Sequence, residues 1–169
     1  MVFVYALVLA YGALFISSLT HKARDFGAFR RSVIDYRLTH PSLASALSVI
    51  LVAGEATCLL LLGLMPALGL SVAAGLLGFY GLAMAINILK GRRHIDCGCY
   101  APGTKRSVIH WGMVIRNLAM AIAASGGAVF AQSAPAIAAW LDYVTLLAGG
   151  GGLIILYCVI ETSLQGVQA

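Results

Sequence analysis

Five apolar runs, each about twenty residues long, dominate the sequence and are separated by short polar breaks. A helix needs roughly 20 apolar residues to cross the hydrocarbon core of a bilayer. Only 10% of the 169 residues are charged, against roughly a quarter in a typical globular domain. No segment shows the alternation, about ten residues long, of a membrane barrel strand. The sequence therefore predicts a single-domain, all-α polytopic membrane protein with about five transmembrane helices in the lipid bilayer.

The boundaries of the apolar runs place the crossings at residues 2–19, 43–64, 67–89, 108–131 and 141–160. The first run has no basic segment before it and no small-residue cleavage site after it, so we expect a retained helix rather than a signal peptide. Glycines at 75, 78 and 81 are typical of helices that approach each other closely. Four successive glycines at 149–152 predict either tight packing against a neighbour or local unwinding of the fifth crossing.

The polar segment 22–38 has the pattern of an amphipathic helix. Its apolar residues fall on one helical stripe, and its basic residues occupy most of the remaining surface; the stripe consists of Phe26, Phe29, Val33 and Tyr36. This pattern predicts an interfacial helix in the headgroup region. A solvated loop whose aromatic side chains pack on the bundle is the alternative.

Lys and Arg residues are concentrated in two alternate connections, with five in the connection after the first crossing and five in the loop 90–107. By the positive-inside rule both connections face the cytoplasm, the N-terminus lies outside and the C-terminus lies inside. The positive-inside rule thereby accounts for the basic residues that give the net charge of +5. We therefore expect no nucleic-acid partner.

The loop 90–107 contains the pair Cys97 and Cys99, separated by Gly98. A disulfide between cysteines two positions apart closes a small, strained ring, and strain makes a disulfide more oxidising. The surrounding basic residues favour the thiolate, which is the form that attacks disulfides or binds metals. Cys97 and Cys99 are therefore the candidate redox-active pair.

Two alternatives to redox chemistry remain for this pair. Both cysteines could be ordinary loop residues. Together with His94, the two thiolates could also hold a soft metal ion. A closed structural site needs four ligands, and the sequence has no second close cysteine pair, so we assign no metal site.

Cys58 and Cys158 lie inside the second and fifth crossings, where a lone cysteine is usually a small buried apolar residue. In the predicted topology Cys158 lies near the cytoplasmic face, on the side of the Cys97–Cys99 loop. If either acts as a redox relay, Cys158 is the better placed.

Ionisable side chains occur inside two crossings, Glu55 in the second and Arg116 in the fourth. Such residues usually face the bundle interior and have a partner. We predict that Glu55 and Arg116 form an ion pair, with His110 and Asn117 as alternative partners. The pair would either fix the helix register only or form a site for a substrate or a quinone.

The sequence resembles the MauE family of methylamine utilisation membrane proteins, within the wider DoxX-like group. The resemblance rests on five crossings in fewer than 200 residues, the element Tyr36-Arg37-Leu38 before the second crossing and the intramembrane Glu55. Above all, it rests on the segment from Asp96 to Cys99 in the loop HIDCGCYA. It covers most of the chain. Tyr100 is followed by Ala101, where an aromatic residue followed by glycine is expected.

The resemblance implies an accessory role in the bacterial inner membrane. Proteins of this kind work with a thioredoxin-like partner to mature or export the small subunit of methylamine dehydrogenase. The leading hypothesis is thiol–disulfide exchange through Cys97 and Cys99, which would make the protein an oxidoreductase. A scaffold or export partner without chemistry of its own is one alternative, and a carrier of metal or small solutes that uses these thiols and Glu55 is another.

Overall fold

The computed structural model describes residues 2–92 and 109–132, together with residues 151, 152, 155 and 159. The two continuous ranges form five α-helices and contain no strand: α1 Val2–Arg24, α2 Phe26–Asp35, α3 Pro41–Leu64, α4 Pro66–Leu89 and α5 Trp111–Gln132. Helices α1, α3, α4 and α5 are long and apolar enough to cross a membrane. The predicted all-α, polytopic membrane fold is confirmed. Of the predicted fifth crossing, 141–160, only four helical positions belong to the described residues.

Helix α1 is longer than the sequence predicted, because it continues past residue 19 to Arg24. Its last turn contains His21, Lys22 and Arg24, and basic residues are favourable at a helix C-terminus. Asp25 then separates α1 from α2, and its carboxylate accepts a hydrogen bond from the backbone N–H of Ala28 at 2.8 Å. This N-cap makes α2 shorter than the predicted interfacial helix at 22–38.

Helix α2 packs its apolar stripe on the bundle. Phe29 is buried, Val33 and Tyr36 are half-buried, and Phe26 is exposed. Helix α2 contacts both α1 and α3. The segment is thus helical, as predicted, and its aromatic side chains Phe29 and Tyr36 pack on the bundle, as the alternative proposed.

Helices α3 and α4 form a tight hairpin. Met65 is the only residue between them, and each helix has a proline in its first turn, where the missing N–H costs nothing. At Gly69 an added Cβ atom would lie 2.4 Å from the backbone nitrogen of Leu62. The glycine therefore permits the close approach of the two helices.

The glycines singled out from the sequence contribute less to packing. A Cβ atom at Gly75 or Gly78 would meet nothing within 4 Å, and one at Gly81 would lie in ordinary contact with α5. A Cβ atom at Gly127 would lie 2.7 Å from a side-chain carbon of Leu7. Among the described glycines, Gly69 and Gly127 are those where an added Cβ atom would lie within 3.0 Å of another atom.

The bundle has one end at which α1 and α4 finish and α3 and α5 begin, here called the basic end. Helix α4 lies along α5, while α3 packs against α1, α2 and α4. Two apolar clusters fill the interior. The larger includes Phe15 and Leu77, and the smaller, near the basic end, includes Met84 and Met113. The candidate functional site lies between the two clusters.

Candidate functional site

A fully buried carboxylate, that of Glu55, lies between the two apolar clusters. The Lys22 ammonium donates to its Oε1 atom at 2.5 Å. The Tyr80 hydroxyl donates to the same oxygen at 2.7 Å, and the Ser18 hydroxyl lies 3.2 Å from both carboxylate oxygens. We call these four residues the Glu55 cluster. A buried charge needs such partners because an unpaired ion in a low-dielectric interior is strongly destabilising.

The periodicity of α1 explains why Lys22 faces inward. Tyr11, Phe15, Ser18 and Lys22 follow one another at intervals of four, three and four residues, so they lie on one face of the helix. Tyr11 and Phe15 are buried, and the Tyr11 hydroxyl donates to the Met120 carbonyl of α5 at 2.6 Å. The same face, continued for two turns, brings Ser18 and Lys22 against α3.

The Lys22 ammonium is also enclosed by aromatic rings. It lies 4.6 Å from the centroid of the Phe29 ring and 5.2 Å from that of Tyr80. Phe29 belongs to α2, so this helix covers the ion pair from the basic end. Only 2% of the Lys22 side chain and 1% of the Glu55 side chain are exposed.

The predicted ion pair between Glu55 and Arg116 is wrong, because the salt-bridge partner of Glu55 is Lys22. Helix α3, which carries Glu55, packs against α1 and α4, whereas α5, which carries Arg116, packs mainly along α4. Burial of Glu55 and its pairing with a cation were predicted correctly. Lys22 was not predicted as a partner, because the hydropathy pattern places this residue in the polar segment after the first crossing.

Arg116 and Asn117 nevertheless share a cavity with Glu55. The cavity measures ≈ 100 Å³ and is also lined by Ser18, His21 and Tyr80. The side-chain nitrogen of Asn117 donates to the Met113 carbonyl within α5 at 2.8 Å. Asn117 is thus part of the cavity wall and does not replace Lys22 as a partner of Glu55.

His110 lies immediately before α5 rather than inside a crossing. Its Nδ1 atom accepts a hydrogen bond from the Gly112 backbone N–H at 3.1 Å. Burial, together with the nearby Arg116 charge, lowers the pKa of His110 from its ordinary value. The neutral imidazole is thereby favoured, and the hydrogen-bond partner of His110 is Gly112 at the start of α5 rather than Glu55.

Cys97, Cys99 and Cys158 lie outside the described residues. The described chain stops at Arg92 and resumes at Ile109, and Ile88 and Ile109 belong to the same apolar cluster. The two attachment points of the cysteine-containing loop are therefore both at the basic end. Cys58 is fully buried in α3, and its thiol lies 3.5 Å from the Gly69 carbonyl, as expected of a buried structural cysteine.

Within the described ranges, no group of three His, Cys, Asp or Glu side chains is placed to hold a metal ion. The Glu55 cluster instead combines one carboxylate with one ammonium and two hydroxyl groups. Such a set of partners stabilises the charge of the buried carboxylate.

A family model described as methylamine utilisation protein MauE matches residues 1–130. The chain is 34% identical over 162 residues to a methylamine utilization protein MauE of Paracoccus versutus, which covers 86% of this chain and 78% of the relative. A protein of the same description from Methylorubrum extorquens is 33% identical over 171 residues, or 96% of this chain and 85% of the relative.

A third relative, from Paracoccus denitrificans, is 37% identical over 129 residues, covering 73% of this chain and 68% of its own length. No solved structure gives a significant match. The matched range 1–130 contains both the Glu55 cluster and the Cys97–Cys99 segment.

Proposed function

Since the chain belongs to the methylamine utilisation protein MauE family, we propose that it is an accessory membrane protein of methylamine utilisation that acts by thiol–disulfide exchange. The observation that carries the proposal is the Cys97–Cys99 pair itself. The pair lies in the one connection between α4 and α5, and both attachment points of this connection are at the basic end of the bundle.

The proposed chemistry needs no external oxidant. A thiolate on one protein attacks the disulfide of the other, a mixed disulfide forms, and a second thiol of the attacking protein releases it. One dithiol thereby becomes a disulfide while the other disulfide becomes a dithiol. Lys90 and Arg92 stand at the start of the loop, and positive charge near a cysteine favours the thiolate.

The proposed partners are a thioredoxin-like protein and the small subunit of methylamine dehydrogenase, as the family resemblance implies. The proposed location is the bacterial inner membrane, with the N-terminus outside and the loop 90–107 in the cytoplasm. In that orientation the loop meets its thioredoxin-like partner on the cytoplasmic side.

The first experiment replaces both cysteines, as Cys97→Ser/Cys99→Ser, and measures maturation of the dehydrogenase subunit in cells. Loss of maturation at an unchanged level of membrane protein supports thiol–disulfide exchange. Cys58→Ala is the matched control, because Cys58 is a buried side chain of α3. Full maturation with both serines present would instead support a scaffold or export role.

The second experiment tests the chemistry in the purified protein. After equilibration in a series of glutathione buffers, the alkylated fraction of Cys97 and Cys99 is measured by mass spectrometry. We expect a reversible bond with a midpoint above about −300 mV, since inert structural disulfides lie below that value. A lower midpoint, or no bond between these two cysteines, would contradict the exchange function. Metal analysis of the same sample tests the carrier alternative.

A further inference from the structure

Four exposed arginine side chains lie at the basic end, in the last turn of α1, in α2 and just after α2. They are Arg24, Arg30, Arg31 and Arg37, here called the arginine surface. Two aspartates, Asp25 and Asp35, belong to the same stretch of sequence, so positive charge predominates. Among the described residues the one salt bridge joins Lys22 to Glu55. Within the described chain, the arginine surface therefore has no acidic side chain paired with it.

Helix α2 holds these arginines at the end of the membrane-spanning bundle, because it lies in the connection between α1 and α3, two helices long and apolar enough to cross a membrane. Its inner side is fixed by the buried Phe29, whose ring centroid lies 4.6 Å from the Lys22 ammonium. Arg30 and Arg31 follow Phe29 directly and are both exposed. Phe26, in the first turn of the same helix, is 39% exposed. An exposed aromatic ring together with basic side chains is typical of a helix at the boundary between headgroups and acyl chains.

The backbone of Arg37 gives a second, independent observation. Among the described non-glycine residues, Arg37 is the one with a positive φ, 46°, a conformation that glycine adopts without strain. The Arg37 backbone N–H donates to the Ile34 carbonyl at 3.0 Å, just after the end of α2. Glycine would suit this position better for the fold alone, whereas arginine adds an exposed positive charge. Strained backbone at an exposed charged residue points to a role of its side chain beyond the fold.

Charge and position together select the partner. Guanidinium groups bind phosphate oxygens through paired, charge-assisted hydrogen bonds, and basic segments next to membrane helices are attracted to anionic lipids. An acidic protein would match the charge equally well. The exposed Phe26 ring favours the lipid, because acyl chains cover an apolar ring at the membrane boundary.

We propose that the arginine surface binds the phosphate headgroups of anionic phospholipids in the leaflet at the basic end. The bound lipids hold α2 against the bundle, and with it the Phe29 ring that covers the pair of Lys22 and Glu55. The proposal goes beyond the proposed function. It depends neither on Cys97 and Cys99 nor on the side of the membrane that the basic end faces.

The test uses the full chain in phosphatidylcholine nanodiscs and two photoreactive lipids, a phosphatidylglycerol and a phosphatidylcholine with the same diazirine near the headgroup. We expect the phosphatidylglycerol probe to label peptides from segment 24–37 more strongly, and this preference to fall at high salt because ions screen the attraction. Equal labelling by the two probes would overturn the proposal and leave an acidic protein as the partner. At matched ionic strength, inorganic phosphate should displace the probe no better than chloride. Better displacement by phosphate would overturn the lipid site in favour of a site for free phosphate.

Two double variants separate this surface from the general charge of the basic end. Arg30→Gln/Arg31→Gln should lower the preference for the phosphatidylglycerol probe by at least about fivefold, since each basic residue at the membrane surface contributes about that factor. Lys90→Gln/Arg92→Gln is the matched control, because it removes two positive charges at the end of α4 and should leave the preference in segment 24–37 unchanged. An equal loss in both variants would contradict a site on α2.

Arg37→Gly separates the side chain of Arg37 from its backbone. Glycine adopts the positive φ without strain, so the melting temperature in pure phosphatidylcholine nanodiscs should not fall, while the preference for phosphatidylglycerol should fall. A lower melting temperature with an unchanged lipid preference would contradict the place of Arg37 in the arginine surface.

The support that lipid gives to α2 is measured by thermal unfolding. A ligand that binds the folded state raises its stability, so added phosphatidylglycerol should raise the melting temperature of the unaltered protein and raise that of Arg30→Gln/Arg31→Gln less. Equal gains for the two proteins would overturn the proposed support of α2 by bound lipid.

Discussion

The Lys22 ammonium and the Glu55 carboxylate, 33 positions apart in sequence, form an ion pair at 2.5 Å in the interior of the bundle. Glu55 lies 14 residues after Pro41, or about 21 Å along α3 at 1.5 Å per residue. The pair therefore links the last turn of α1 to the middle of α3. Glu55 also lines the cavity that it shares with Arg116.

Removing one member of this pair should destabilise the protein more than removing both. Lys22→Met leaves a buried carboxylate uncompensated, and Glu55→Gln leaves a buried ammonium. Each should cost about 3–5 kcal/mol, while the double replacement should recover a large part of that loss. Thermal unfolding in detergent measures all three variants. A double variant whose loss equals the sum of the single losses would show that the two groups do not interact.

Gly69→Ala should destabilise the α3–α4 hairpin, because the new methyl group would lie 2.4 Å from the Leu62 backbone nitrogen and 2.6 Å from its Cα atom. Relief requires the two helices to separate, and overpacking of this kind costs about 1–3 kcal/mol. Gly75→Ala is the matched control on the same helix, since its methyl group meets no atom within 4 Å. Equal melting temperatures for the two variants would contradict the close packing at Gly69.

Acidification should destabilise the start of α5 through His110. Burial and the Arg116 charge lower the pKa of His110 in the folded protein, so below about pH 6.5 the unfolded chain binds the proton more readily. The stabilisation is complete above the unfolded pKa, and it is lost as the pH falls towards the folded pKa. His110→Gln should flatten the pH dependence of the melting temperature in this window. His40→Gln, at an exposed position, controls for the loss of an imidazole.

The orientation of the bundle can be measured at two exposed positions. In a background with Cys97→Ser and Cys99→Ser, Lys90→Cys should resist an impermeant thiol reagent in spheroplasts and react after lysis. Met65→Cys, at the opposite end of the bundle, should react in spheroplasts. The expectation follows from the ten basic residues in two alternate connections. The reverse pattern would place the cysteine loop in the periplasm.

The sequence was sufficient to predict the four described crossings, because the length of an apolar run matches the thickness of the bilayer. It was not sufficient to locate the end of α1. The prediction ended the helix at residue 19, whereas Lys22 continues the inner face of Tyr11, Phe15 and Ser18 and finds its partner in α3. The helical spacing of Ser18 and Lys22 from Tyr11 and Phe15 indicates the longer helix. A hydropathy profile does not contain this spacing.

The predicted site was correct in its buried acid and wrong in the partner of that acid. Glu55 was identified because a carboxylate in the middle of an apolar run must be compensated. Whether Lys22 or Arg116 compensates it depends on which helices are neighbours, and apolar runs of similar length do not encode that order. The contribution of Tyr80 was also missed, because tyrosine occurs frequently in membrane helices without a buried partner.

Met65 alone joins α3 to α4, so during synthesis these two helices enter the membrane as one hairpin that carries Glu55 in its first arm. A lone carboxylate at the centre of a helix opposes insertion by about 2.5–3.5 kcal/mol. Lys22 is synthesised earlier, at the end of α1, and its long side chain can remain at the membrane surface until the carboxylate arrives. The order of synthesis therefore favours an ordered assembly. Helix α1 is in place first and carries the counter-ion Lys22, and the α3–α4 hairpin inserts fully when Glu55 pairs with it.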